Sequence, residues 1–138
     1  MAKAFEVFEQ AISDKKIRSY GMATWICFRS PPDEAGIHVS VQKIKEIAEQ
    51  VGGVNNGLKY VQVPLNLLMI EAMSEKWQPV DSELYYQDRK KVLEEQNAGF
   101  LKKMMLKKSK NPFEFEVLLR VLRIYKLNMM ASSPFMQG

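Results

Sequence analysis

Lys16-Ile17-Arg18-Ser19-Tyr20-Gly21-Met22-Ala23-Thr24-Trp25 reads as a short buried strand that ends in small and hydrogen-bonding side chains. Before it, Ala4 to Ser13 sets Phe5, Phe8 and Ile12 on one face, away from Glu6, Glu9 and Gln10, at the period of an amphipathic helix. After it, Ser30-Pro31-Pro32-Asp33 breaks regular structure. A helix feeding a strand whose carboxyl end opens onto a turn-rich loop is the unit of parallel α/β sheets, and chemistry gathers at that end. Gly21 inside the strand marks a close approach by a neighbouring backbone or a ligand.

The same order recurs twice. Ser40 caps a predicted helix whose apolar residues Val41, Ile44, Ile47, Ala48 and Val51 form one stripe, and Gly52-Gly53 stops it. Beyond the turn-forming Asn55-Asn56-Gly57, Leu58 to Leu65 is strand-like, with Gln62 as its polar interior residue and Pro64 ending ladder bonding. Asn111-Pro112-Phe113-Glu114 has the form of a helix start, with Asn111 as cap and Pro112 in first position. Phe115, Leu118, Leu122 and Tyr125 then share a face, while Arg120, Arg123 and Lys126 suit the negative carboxyl end. Asn128 to Ser133 is the third expected strand. Between the second and third units, Trp77-Gln78-Pro79 reads as loop, Leu84 to Phe100 as a charged helix, and residues 79–110 as a lysine-rich insertion.

The short turns of antiparallel hairpins are missing between these strands, so the expected class is α/β, about three parallel strands with covering helices. Three such strands leave two edges unpaired, whereas a closed barrel of this kind takes eight strands and ~250 residues. Residues 1–138 are therefore expected to form a single partial domain.

Composition narrows the chemistry. With 46% hydrophobic and 26% charged residues the chain has a globular balance, and its net charge of +4 does not by itself imply nucleic acid. Cys27 is the only cysteine, which excludes an internal disulfide and any cysteine-built zinc site; it reads as a small buried hydrophobe. His38 lies in a Pro/Asp/Gly-rich loop with no second histidine to share a metal, and is expected to be solvated or locally bonded. Met1 to Glu9 lacks the continuous apolar core of a secretory signal, and no run approaches the ~18 to 20 apolar residues of a membrane span. The expectation is a cytoplasmic chain with no membrane span.

The opening stretch also resembles a segment of the aldo-keto reductases, K-I-R-x-x-G-x-S followed by N or T and then F or W. Tyr60-Val61-Gln62-Val63-Pro64-Leu65-Asn66-Leu67 is similar to that family's strand bearing a cofactor-contacting glutamine. Met130-Ala131-Ser132-Ser133-Pro134-Phe135-Met136-Gln137-Gly138 is similar to its next strand. The resemblance implies a (β/α)8 TIM barrel, here strands five to seven, that binds NADP and reduces carbonyls at the carboxyl ends of its strands. It assigns to Gln62 and Thr24 hydrogen bonds to the nicotinamide carboxamide. Ala23 stands where a serine normally makes such a bond, and has no side-chain donor or acceptor. Ser132 stands where many members stack a tyrosine on the ring. The family's tyrosine acid, with its lysine, aspartate and histidine, belongs to strands and loops ahead of the matched region. The expectation is thus an NADP-dependent oxidoreductase fragment that contributes part of the nicotinamide pocket without being catalytically competent alone.

A second expectation uses the same half-barrel differently. Lysines 102, 103, 107, 108 and 110 surround Met104-Met105-Leu106, a basic amphipathic pattern without the interleaved aromatics of a single-strand nucleic-acid platform. On that reading the chain is a non-enzymatic interaction module whose partner is another polypeptide that completes or covers the sheet.

Overall fold

The computed structural model describes residues 1–132 apart from 34, 35, 67 and 97. Helix α1 (Ala2–Ser13) leads into strand β1 (Tyr20–Ala23), a 3-10 turn (Cys27–Arg29), helix α2 (Val41–Gly52) and strand β2 (Leu58–Pro64). Then come α3 (Glu71–Ser74), β3 (Gln78–Asp81), α4 (Ser82–Glu95), α5 (Phe100–Met105), β4 (Phe113–Glu116), α6 (Leu118–Ile124) and β5 (Asn128–Ser132).

The α/β class holds. Strands β1, β2 and β5 form a parallel sheet in that order, with Ala23 opposite Gln62 and Gln62 opposite Met130. The first two helices form where their patterns place them: the Ser40 hydroxyl accepts the Lys43 N–H at 3.1 Å, and Gly53 takes a positive φ of 71° at the end of α2. Val61 and Val63 are fully buried in one apolar core with Ile44 and Ala48 of α2 and Leu118, Val121 and Leu122 of α6. Residues of opposite parity, Tyr60 and Gln62 of β2 and Met130 of β5, carry no such cover. Among the described residues the sheet is thus packed by helices on one face and open on the other.

Several elements differ from expectation. Strand β1 is only four residues long, against the ten from Lys16 to Trp25 read as strand. Asn111-Pro112 does not start a helix: Phe113–Glu116 is a strand, and α6 begins at Leu118 with no side-chain cap. Trp77-Gln78-Pro79 is not simply loop, because Gln78 opens β3, which pairs antiparallel with β4. The stretch 79–110 holds most of β3 together with α4 and α5, and the Asp81 carboxylate caps α4 through the Glu83 and Leu84 N–H groups. Antiparallel pairing arises here without a tight turn, across a connection that contains two helices. Ser133, the expected last residue of the third strand, lies outside the described residues.

Glu116 fastens this second layer. Its carboxylate accepts from Arg120 Nη1 at 2.7 Å and from the Val117 N–H at 3.0 Å. Burial pushes its pKa up, but the Arg120 guanidinium and that N–H outweigh burial and hold it below the usual carboxylate value. Asp88 of α4 in turn accepts from Arg123 at 2.7 and 2.9 Å, joining α4 to α6.

The close approach foreseen at Gly21 is made by a neighbouring backbone. A Cβ on Gly21 would sit 2.7 Å from both Tyr60 Cβ and the Tyr60 carbonyl oxygen, where the β1–β2 register shifts. Neither atom is the free end of a side chain, so the strands themselves must part. Gly21→Ala is expected to lower unfolding stability by about 2 kcal/mol, seen as a lower urea midpoint at unchanged slope; an unchanged midpoint refutes the close packing.

Candidate functional site

The parallel register brings two of the four candidate residues, Ala23 and Gln62, into one row on the open face with Met130. Ala23, Gln62 and Met130 lie side by side on adjacent strands, and they line a cavity of about 280 Å³ together with Gly21 and Tyr60. Gln62 is half-buried, and its side-chain amide makes no hydrogen bond to any described residue. Its backbone is committed: the carbonyl accepts the Thr24 N–H at 3.2 Å, extending the β1–β2 ladder one residue beyond the strand. Lining the cavity, the Gln62 side-chain amide offers both donors and an acceptor to an incoming ligand.

Thr24 and Ser132 stand at the same carboxyl end but outside that row. The Thr24 hydroxyl is buried and has no hydrogen-bond partner among the described residues. Ser132 is half-buried opposite Pro64, and its carbonyl accepts the Leu65 N–H at 3.1 Å. Ala23 contributes only its methyl group and main chain. Leu67 and Ser133 to Gly138, which complete the matched segments, lie outside the described residues.

The two loops at this end are held by a residue that sequence reasoning missed. Arg29 is buried; its Nε and Nη2 donate to the Trp25 carbonyl at 3.2 and 2.9 Å, and its Nη1 reaches Glu71 Oε2 at 2.6 Å. One guanidinium thus ties the loop after β1 to the start of α3, which follows β2. Trp25, Ile26, Leu68 and Ile70 of these loops and Met73 of α3 stay exposed.

Tyr20 does not act as an exposed acid. Its ring packs against Phe5 and Phe8 at 5.2 Å centroid separation, and its hydroxyl donates to Glu9 Oε1 at 2.8 Å. Burial and then the adjacent Glu9 carboxylate push the phenol above its ordinary pKa, so it stays protonated at neutral pH. The same Glu9 oxygen accepts the Gly57 N–H at 2.9 Å, which makes Tyr20 and Glu9 a clasp between α1 and the amino end of the sheet. Lys16 pairs with Asp14 on the surface at 2.9 Å. His38 is locally bonded, its Nδ1 donating to the Ser30 carbonyl at 2.8 Å, and Cys27 is a free, half-buried thiol.

No family model, curated protein or solved structure matches this chain. Among the described residues no group of three or more histidine, cysteine, aspartate or glutamate side chains is placed to hold a metal ion. No helix among them is long and apolar enough to cross a membrane.

Proposed function

We propose that the open carboxyl end of the sheet is one wall of a nicotinamide pocket in an aldo-keto-reductase-like oxidoreductase, with β1, β2 and β5 as three successive strands of a (β/α)8 barrel. The observation that carries this reading is the Gln62 amide, unpartnered among the described residues and in register with Ala23 on the open face. The strand order and the one-sided helical cover support it, since successive barrel strands are parallel, adjacent and covered only on the outside.

The residues present fit a primary carboxamide at two positions. Gln62 has both a donor and an acceptor to offer, and Thr24 has an orphaned hydroxyl at the same strand ends. Bound NADPH supplies the hydride; this chain's share is to hold and orient the ring that carries it. Gln62 fixes the rotation of the carboxamide, and the small Ala23 leaves room for a planar group to approach the strand. Ser132 is too small to stack on a ring, so orientation rests on hydrogen bonds from β1 and β2.

NADPH fluorescence titrated with the full chain tests this. Saturable binding is expected, weakened about tenfold by Gln62→Ala through loss of amide hydrogen bonds worth about 1 to 1.5 kcal/mol. Thr24→Val is expected to weaken it less. Absence of saturable binding in the wild type, or equal binding by Gln62→Ala, refutes the pocket.

A further inference from the structure

The lysine-rich segment lies against α4 and shapes a groove with it. Tyr85, Arg89 and Leu93 recur every four residues along one face of that helix, a stripe about 12 Å long at 1.5 Å per residue. Lys102 and Met105 of α5, with Leu106 and Lys107 just beyond it, form the facing wall of a groove of about 580 Å³. Among the described residues three cations line the groove and no carboxylate does. Arg89, Lys102 and Lys107 form no ion pair with any described residue, whereas neighbouring Lys108 is matched by Glu83.

We propose that this groove binds an acidic amphipathic helix of a partner protein, seating its apolar residues on Tyr85, Leu93 and Met105 and its carboxylates against Arg89, Lys102 and Lys107. The cations are spread along both walls, which matches carboxylates one helical turn apart better than a single phosphate. The lining comes from α4 on one side and from α5 and the residues just beyond it on the other, so a helix can lie between the two. Tyr85 is its only aromatic lining residue among those described, and one ring among aliphatic side chains is no stacking platform for nucleic acid. Met105, exposed and unbranched, can adapt to the apolar stripe of an entering helix.

The test is fluorescence anisotropy of the full chain with a labelled Leu/Glu peptide that presents an apolar stripe at helical spacing flanked by glutamates. Saturable binding is expected, weakening as salt rises. Lys102→Glu/Lys107→Glu is expected to raise Kd by about tenfold or more, as reversal turns attraction into repulsion. Arg89→Glu should act in the same direction, and Lys102→Gln/Lys107→Gln, which carries no reversed charge, should give a smaller loss. Far-UV circular dichroism checks that each variant is folded, and the neutral pair decides the matter if the reversed pair is not. Gln62→Ala should leave peptide binding unchanged, so this result and the NADPH result stand or fall separately. The proposal is overturned if the wild type shows no saturable binding or if folded lysine variants bind like wild type. It is also overturned if a scrambled peptide of the same composition binds equally, or if phosphatidylserine vesicles or a single-stranded oligonucleotide bind more tightly with the same dependence on the lysines.

Discussion

Gln78→Leu is expected to destabilise the chain by about 4 kcal/mol, because it strands three backbone groups that the native amide satisfies in the interior. Gln78 is 1% exposed. Its Nε2 donates to the carbonyls of Phe28 and Val39 at 3.0 and 3.1 Å, and its Oε1 accepts the Val41 N–H at 2.8 Å. Both amide protons and the oxygen are thus spent on the 3-10 turn, on the residue before the Ser40 cap and on the first residue of α2. Leucine is similar in size but bonds to none of them. A loss of this size is a large share of the ~5 to 15 kcal/mol that holds an ordinary domain together, and thermal unfolding should register it plainly. If the melting temperature moves by less than a degree or two, the amide is not the stitch described.

Gln78→Glu distinguishes hydrogen bonding from shape. It places a carboxylate oxygen against two carbonyl oxygens, so burial and repulsion raise the glutamate pKa above its unfolded value of ~4.3. With a raised folded pKa, the native state is favoured while the group is protonated and loses stability as pH rises through that value. Relative to Gln78→Leu, the glutamate variant should therefore be less stable at neutral pH and should regain ground towards pH 4. A constant difference across that range would point to a solvated side chain.

These bonds also show where local sequence patterns lose their reach. Helix α2 was legible because its apolar stripe, its serine cap and its glycine stop agree over consecutive residues. Strand β2 was legible for the same reason, and Gln62 stood out as the polar residue within it. The ribbon of β3 and β4 was missed. Its first strand begins with a buried glutamine followed by a proline, both atypical of strands. In its second strand, the alternating Phe113-Glu114-Phe115-Glu116 carried the period-two signal, but Asn111-Pro112 serves turns as well as helix starts. What places Gln78 in the core is its bonding to residues 37 to 50 positions away, and no local window holds that information. At the candidate site, the row of Ala23 and Gln62 follows from strand register. Its support from Arg29 and Glu71, 42 residues apart, does not.

That support has a direct consequence. Arg29→Met should cost about 3 kcal/mol, the lower part of the range for breaking a buried ion pair, because Glu71 keeps partial access to solvent. The pair is unequal: the Arg29 side chain is 6% exposed and that of Glu71 34%. Removing the guanidinium leaves Glu71 able to turn to water, but the Trp25 carbonyl loses both donors. Glu71→Gln is the informative comparison, since it keeps the geometry and removes the countercharge, leaving a buried cation held by neutral acceptors. Both variants should loosen the loops after β1 and β2 before the whole chain unfolds, because Arg29 is the side chain that joins Trp25 to α3. Limited proteolysis should therefore cut first between residues 24 and 33 or between 65 and 75, with the helical core of α2 and α6 still protected. If the carboxyl-end loops position Gln62, NADPH affinity should fall in Arg29→Met although Arg29 does not line the cavity. Unchanged proteolysis in both variants would show that the apolar contacts around Phe28 and Ala72 hold these loops without the ion pair.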